Sequence, residues 1–265
     1  CLRNLFSDGW VSSVIGRFTM PWSDARNRRT NVFKANIEVS GLLSGMVPSR
    51  FIDSQLYRFA KFDVEYAKLF KWTKTSLIIR GFGGLGYEFD FTKNPDKRDQ
   101  LPFFKQYYSG GPNSMRAWQL RRLGPGSTVK YFTGSADEVQ IVPDRFGDVQ
   151  LEANIEYRMP LFSMAGIPVN GALFTDVGNV WLLKSGAGLP EETFRLSRLG
   201  TDLAIGSGAG VRVDFGFFVI RVDYAYKVKD PSPDPGNIRY QNKFFAYPFF
   251  KGSQLQLGIG YPFIF

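Results

Sequence analysis

The sequence predicts an all-β protein, a transmembrane antiparallel β-barrel, and three observations support this fold class. Apolar and polar residues alternate in about nine runs at hairpin spacing. Most of these runs exceed the roughly 5–6 residues that strands of soluble sandwiches usually have. No apolar run reaches the roughly 18 residues of a transmembrane helix. A barrel strand needs only about 9–11 residues, with one apolar face.

The first four predicted strands lie near 11–20, 32–43, 57–70 and 76–89. In the third, Tyr57 and Phe59 are out of step with Phe62, Val64 and Tyr66, so the pattern predicts a β-bulge there.

The other five predicted strands lie near 149–161, 169–181, 203–215, 218–228 and 254–265. The alternation is clearest in 149–161, where a helix would scatter the apolar residues but a strand gathers them on one face. Its opposite face is polar and consists of Gln150, Glu152, Asn154, Glu156 and Arg158. Aromatic residues at strand ends, typical of a membrane interface, are Trp72, Trp181 and Tyr261.

About nine strands alone would leave unpaired edges in a bilayer, where each unsatisfied backbone group costs several kcal/mol. We therefore expect residues 1–265 to be the C-terminal part of a larger barrel. The chain begins at Cys1 without an initiator Met or a signal-peptide pattern. A fragment is the favoured explanation, and a processed form with a lipid-modified Cys1 is the alternative.

Composition excludes several kinds of enzyme. The chain has no histidine and one cysteine, which excludes catalysis by a His base, His-ligated zinc and an internal disulfide. We expect no enzymatic activity, no cofactor and no metal site.

The net charge is +9, and basic clusters fall between the predicted strands. They indicate either solvated loops or contacts with phosphorylated headgroups at a membrane surface. They form no basic stripe with exposed aromatics, so we expect no nucleic-acid partner. The clusters are Arg26, Arg28 and Arg29; Lys93, Lys97 and Arg98; and Arg121 and Arg122.

A long polar segment, about 90–147, separates the fourth and fifth predicted strands. It is too long for a hairpin connection and is expected to be functional or disordered. Its most informative part reads Ser109-Gly110-Gly111-Pro112-Asn113-Ser114-Met115-Arg116-Ala117-Trp118, followed by Leu123-Gly124-Pro125-Gly126.

This segment resembles the hallmark loop of the BamA/TamA outer-membrane insertase superfamily, and its wording is most similar to the TamA-like branch called TamL. Three later segments resemble strands of the same barrel: Gly147–Arg158, Phe174–Trp181 and the end at Phe265. The loop core of the family is usually Val-Arg-Gly-Phe/Tyr, so Met115, Ala117 and Trp118 depart mildly while keeping the residue classes. The resemblance implies a sixteen-stranded barrel preceded by periplasmic POTRA domains, and this chain contains neither those domains nor the upstream strands.

The alternation places Glu156 and Asp176 on the lumen-facing side of their strands. A guanidinium in the lumen needs paired carboxylates, and lysine cannot form the same planar fork. We therefore expect Arg116 to dock on Asp176 and Glu156, with Trp118 against the barrel wall. The alternative is ordinary lumen filling, which we expect for the other inward charges: Arg80, Glu88, Arg212, Asp214, Arg221 and Asp223.

The last predicted strand should pair weakly near its end. Gly258 and Gly260 reduce rigidity, and Pro262 cannot donate a hydrogen bond to a ladder. The resemblance implies a seam there that admits client strands; alternatively, the glycines relieve crowding beneath the loop. Phe265 could also be the signal by which assembly machinery recognises the chain.

The favoured function is an outer-membrane assembly, insertion or translocation factor, integral to the bacterial outer membrane. Its expected partners are outer-membrane lipid and lipopolysaccharide, client β-barrel proteins, and periplasmic or inner-membrane assembly partners. The alternatives are a two-partner-type secretion pore, the barrel anchor of a patatin-like lipase, and a passive porin. A Gly-X-Ser-X-Gly nucleophile elbow is absent from the chain.

Overall fold

The computed structural model describes residues 10–24, 26, 28–41, 56–89, 101–129, 144–184 and 189–260. Within these residues, nine strands form one antiparallel sheet whose neighbours follow chain order. The strands are β1 (Ser13–Ser23), β2 (Arg29–Ser40), β3 (Phe59–Lys71), β4 (Ser76–Glu88), β5 (Val149–Met164), β6 (Ile167–Trp181), β7 (Ala204–Asp214), β8 (Val219–Lys229) and β9 (Ser253–Ile259). The predicted strands are confirmed, with ends shifted by a few residues.

Alternation along each strand separates an inner from an outer face. On β5, Glu152 and Glu156 are buried while Ile155 is 49% exposed, and on the neighbouring strand Leu173 is 51% exposed. Exposed aliphatic side chains recur along the outer face, which is the pattern of a lipid-facing barrel wall. No helix in the described part of the chain is long and apolar enough to cross a membrane.

The predicted bulge in β3 is wrong. The β2–β3 and β3–β4 pairings run without a register shift. Phe59 is buried because it faces the interior, where Lys105 lies 5.9 Å from its ring centroid. Register shifts occur instead at Pro160/Phe162 and Ile205/Gly206.

The strand-end aromatics differ in their surroundings. Trp72 is 55% exposed, as a membrane-interface residue would be, but Trp181 is fully buried. Its indole N–H donates to Asp202 Oδ2 at 3.2 Å, and its ring meets Phe194 edge-on. The prediction that Trp181 lies at the interface is therefore wrong, because the β6–β7 connection covers it. Tyr261 lies outside the described residues.

The connections are short at one end of the sheet and long at the other. Brief turns join β1 to β2, β3 to β4, β5 to β6 and β7 to β8. The longer connections span 41–58, 89–148, 182–203 and 230–252, and we call this side the long-loop end. A four-residue helix, α1 (Leu199–Asp202), and two short 3₁₀ segments lie within them.

The described parts of the β4–β5 connection pack against the inner faces of the later strands. Met115, Arg116, Ala117 and Trp118 are each at most 2% exposed. Met115, Ala117 and Trp118 share an apolar cluster with Phe174 on β6 and with Leu123, Ala204 and Ala225. The described part of this loop that carries the motif therefore lies against the inner face of the sheet.

Candidate functional site

The loop motif is closed by its own backbone. Gly111 N–H donates to Trp118 O at 2.8 Å, and Trp118 N–H donates to Met115 O at 3.1 Å. Gly110 and Gly111 have φ of +105° and +91°, where side chains are disfavoured. A Cβ at Gly110 would lie 2.1 Å from Gln119 O. The glycine pair therefore permits the turn that presents Arg116.

The structure places Arg116 against both predicted acids. Its Nε and Nη2 donate to Asp176 Oδ2 and Oδ1 at 2.9 and 2.8 Å, which is a bidentate fork. Its Nη1 donates to Glu156 Oε2 at 2.5 Å. Its backbone N–H also donates to Asp176 Oδ2, at 3.1 Å. All three side chains are fully buried.

Register brings the two acids together. Glu156 on β5 pairs with Phe174 on β6, and Asn154 pairs with Asp176, so all four side chains point inward from adjoining positions. Asn154 donates to Asp176 Oδ1 at 2.9 Å. The Arg116 guanidinium lies 3.5 Å from the Phe174 ring centroid, a cation–π contact.

The carboxylates stabilise the charge of the Arg116 guanidinium. Burial alone would lower the pKa of its guanidinium, but the charges of Asp176 and Glu156 outweigh burial and raise this pKa above its ordinary value. The loop is therefore held by a permanent cation within a hydrogen-bonded acidic pocket.

Three inward charges expected to be generic pairs belong to the same network. Arg212 donates to Glu156 Oε2 at 3.2 Å and to Asp223 Oδ1 at 2.5 Å. Arg221 donates to Asp223 Oδ2 at 3.1 Å. Arg221 also reaches the loop, donating to Pro112 O at 2.7 Å and to Asn113 Oδ1. Arg221 contacts the motif directly and Asp223 Oδ2 lies 3.9 Å from Arg116 Nη1, while Arg212 is linked to the motif through Glu156. Alternation along β7 and β8 could not indicate these contacts.

Gln256 on β9 joins the closing strand to the motif, and sequence reasoning missed its role. Its amide donates to Arg116 O at 3.3 Å and to Trp118 O at 2.9 Å. Gln256 alternates with the exposed Leu255 and Leu257, so its inward position agrees with the strand pattern, but nothing local in the sequence indicates its partners.

The apolar residues of the motif fit a close approach to the wall. A Cβ at Gly206 on β7 would lie 2.7 Å from the Ala117 Cβ and 3.2 Å from the Trp118 ring. Ala117 and Gly206 are therefore both small enough for the loop to approach the wall this closely. The Lys227 ammonium lies 5.4 Å from the Trp118 ring.

Serines at the start of the motif contact a third acid. Ser109 Oγ donates to Glu152 Oε1 at 3.0 Å, and Ser114 Oγ donates to the same oxygen. Glu152 also pairs with Arg80, whose Nε bonds Glu65 Oε2 at 2.7 Å. Glu88 and Asp214, the other two expected lumen charges, are half-buried at strand ends.

The seam residues are only partly described. A Cβ at Gly258 would lie 2.6 Å from Arg221 Nε, so this glycine makes room for the arginine that holds the loop. Gly260 has φ of +84° and its N–H donates to Val219 O at 2.6 Å. Pro262 and Phe265 lie outside the described residues, as do Cys1, Lys93, Lys97 and Arg98.

The later part of the loop is tied to its neighbours at the long-loop end. Asn179 Nδ2 donates to Gly126 O at 2.8 Å, and Gly124 N–H donates to Ser232 Oγ at 3.1 Å. Arg145, fully buried, donates to Ser232 O at 2.5 Å. Within the described ranges, no group of three or more His, Cys, Asp or Glu side chains could hold a metal ion. Ion pairs and hydrogen bonds hold the loop motif in this site.

A family model described as the Omp85 superfamily domain matches residues 17–263. No curated protein sequence matches the chain. Among solved structures, the chain is similar to BamA from Haemophilus ducreyi lacking POTRA domains 1–3, with a TM-score of 0.56 and 13% identity. That match covers 93% of this chain and 41% of the BamA chain, so this chain spans less than half of the length of that BamA chain. At this identity the likeness is one of fold.

Proposed function

The family match over residues 17–263 shows that this chain belongs to the Omp85 superfamily. From this we propose that it is part of a factor of the bacterial outer membrane that assembles or inserts β-barrel proteins or translocates material. The proposed factor is not an enzyme. Its partners are client barrel proteins, the surrounding outer-membrane lipid with its lipopolysaccharide, and periplasmic or inner-membrane assembly partners. The TamA-like branch, the sixteen-stranded barrel and the periplasmic POTRA domains belong to the same proposal.

One observation carries the proposal: the buried Arg116 fork on Asp176 and Glu156. A buried charge network is weak evidence for stability, because well-packed apolar residues often stabilise as much. Here ion pairs and hydrogen bonds hold the loop against β5, β6, β8 and β9. Such an arrangement suits a loop that must dock in one defined position and leave it as a unit. Arg116 is its central residue, bonded to β5 and β6 and adjoining β8 and β9.

In this proposal, the edge of β9 opposite β8 is where a client strand would pair. β9 pairs with β8 over Ser253–Ile259, and within the described residues its other edge pairs with no strand. An edge of this kind presents N–H and C=O groups to an incoming strand. Gln256 and Arg221 connect this strand pair to the loop, so docking of the loop and opening of the seam are coupled.

The test is client insertion into liposomes with the Arg116→Ala variant. Removing one partner of a buried ion pair costs about 3–5 kcal/mol, so the loop should undock and insertion should slow at least several-fold. Arg121→Ala is the matched control, because Arg121 lies in the same loop and its side chain is 42% exposed. Unchanged folding, loop protection and insertion in Arg116→Ala would contradict the proposal.

The same vesicles distinguish insertion from secretion. A soluble exoprotein is offered to the barrel in place of a client barrel. Export of the exoprotein without client insertion would assign the chain to the two-partner-type secretion pores.

A further inference from the structure

The β8–β9 connection displays an aromatic surface on the outside of the barrel. Phe244, Phe245, Phe249 and Phe250 are 59%, 71%, 58% and 85% exposed. We call these four residues the aromatic patch. Contiguous exposed apolar side chains of this size are uncommon on soluble surfaces and mark an interaction site.

The aromatic patch continues the outer face of β8. Tyr226 stacks on Phe245 and Phe249, with centroids 6.4 and 6.1 Å apart. Tyr224 lies 5.7 Å from Phe249. On β8 both tyrosines alternate with the buried Asp223 and Ala225, so they belong to the outward, lipid-facing side. The patch therefore extends the wall sideways and does not cover the lumen.

The patch is held rigidly by buried polar anchors. Tyr247 is buried, and its hydroxyl donates to Asp230 Oδ2 at 2.9 Å while its carbonyl accepts from Tyr226 at 2.8 Å. Phe245 N–H donates to Val228 O at 2.8 Å, and Lys227 N–H donates to Gly252 O at 2.8 Å. The phenylalanines are thus presented outward by a fixed backbone.

Charge flanks the aromatic patch on both sides. Lys243 and Lys251 are exposed and bracket the four phenylalanines in sequence. Aromatic rings prefer the boundary between headgroups and acyl chains, and lysine stems reach from there to phosphate groups. Each cation near an anionic membrane surface adds attraction.

From continuity with the lipid-facing wall and from the flanking lysines, we infer that residues 243–251 anchor this edge of the barrel in the lipid interface at the long-loop end. The four phenylalanines enter the interfacial layer, and Lys243 and Lys251 contact lipid phosphates. The inference needs a membrane-spanning wall but does not depend on insertase activity. It places a lipid anchor in the connection that leads directly into the seam strand β9.

Single-site labelling tests the anchor. In a Cys1→Ser background, Phe250→Cys carries an environment-sensitive NBD label in phosphatidylcholine vesicles. We expect a blue-shifted emission that lipids with nitroxide groups near the headgroup quench several-fold. Leu173→Cys, on the outer wall of β6, is the positive control, and Leu196→Cys, 76% exposed in the β6–β7 connection, is the aqueous control.

Each outcome decides one point. A label at 250 that aqueous iodide quenches as strongly as the label at 196 overturns the anchor, provided that position 173 is in lipid. If position 173 is also in water, the membrane-spanning wall fails as well. Protection at 250 that arises only when a second barrel protein is added assigns the patch to a protein partner and overturns the lipid anchor.

Discussion

At the residue scale, the planar geometry of Arg116 decides the site. Three guanidinium nitrogens have separate acceptors: Nε and Nη2 bond Asp176, and Nη1 bonds Glu156. Lysine offers a compact charge on a flexible stem and cannot span both carboxylates in this way. The motif therefore requires arginine because of its shape as well as its charge.

Arg116→Lys should preserve the charge but weaken loop docking. We expect a loss of about 1.5–3 kcal/mol, the usual contribution of a hydrogen bond to a charged group. Hydrogen exchange at the Gly111 and Trp118 amides, both bonded within the motif, measures it. Arg121→Lys, at an exposed pair with Asp144, should cost less than about 1 kcal/mol. Equal exchange in the two variants would show that the fork is dispensable.

Gly258→Ala tests whether that glycine serves the seam or makes room for Arg221. A Cβ there must displace the guanidinium, at a cost of about 1–3 kcal/mol. Proteolysis of the loop should then accelerate. Gly81→Ala, where a Cβ meets nothing within 4 Å, is the control. If loop proteolysis is unaffected in Gly258→Ala, the glycine acts through strand pairing.

At the element scale, the loop and β9 are mechanically linked. The Gln256 amide bonds two carbonyls of the motif, and Arg221 on β8 bonds two groups at its start. The loop is itself bonded to β5 and β6, so the last two strands cannot move far from those strands without breaking these bonds or carrying the loop with them. The loop therefore restrains the strand that the proposed function requires to open.

Gln256→Leu should loosen both elements together. It removes two hydrogen bonds, those to the carbonyls of Arg116 and Trp118, at about 0.5–1.5 kcal/mol each. Hydrogen exchange should rise in β9 and in residues 115–118 in parallel. Gln254→Leu is the control, because the Gln254 amide bonds only its own neighbour, Leu255 O, at 2.9 Å among the contacts described. Faster exchange in β9 alone would separate the two elements.

At the scale of the whole molecule, hydrogen bonds join three long connections, those between β4 and β5, β6 and β7, and β8 and β9. Lys229 donates to the carbonyls of Gly200, Thr201 and Leu203 at 2.6, 3.0 and 3.0 Å. Gln241 bonds Ser127 O and Pro231 O, at 2.7 and 2.8 Å. The long-loop end is consequently a packed layer joined to the lumen loop.

The lengths of the connections also predict which end of the barrel faces the periplasm. Outer-membrane barrels keep short turns in the periplasm and long loops outside. In intact cells, a membrane-impermeant maleimide should label Gly236→Cys, where a Cβ meets nothing within 4 Å. Lys74→Cys, in the β3–β4 turn, should react only after permeabilisation. The reverse labelling pattern would place the long-loop end in the periplasm.

The sequence by itself determined the strands and their faces. Alternation with period two is a local property, so β5 and the inward position of Glu156 and Asp176 could be read directly. Composition likewise excluded histidine chemistry, and the motif indicated the family. The burial of Phe59 and Trp181 could not be read in this way, because it depends on how connections fold back. Lys105 of the β4–β5 connection lies near Phe59, and Phe194 and Asp202 of the β6–β7 connection contact Trp181.

Only the tertiary structure decided which inward residues meet the loop. Arg116 and Gln256 are 140 positions apart, and Arg221 and Pro112 are 109 apart. A strand pattern states that a side chain faces the lumen, but many side chains do so. The partners depend on where a long loop folds back, and that is set by the summed packing of Ala117 on Gly206 and of Arg116 on its acids.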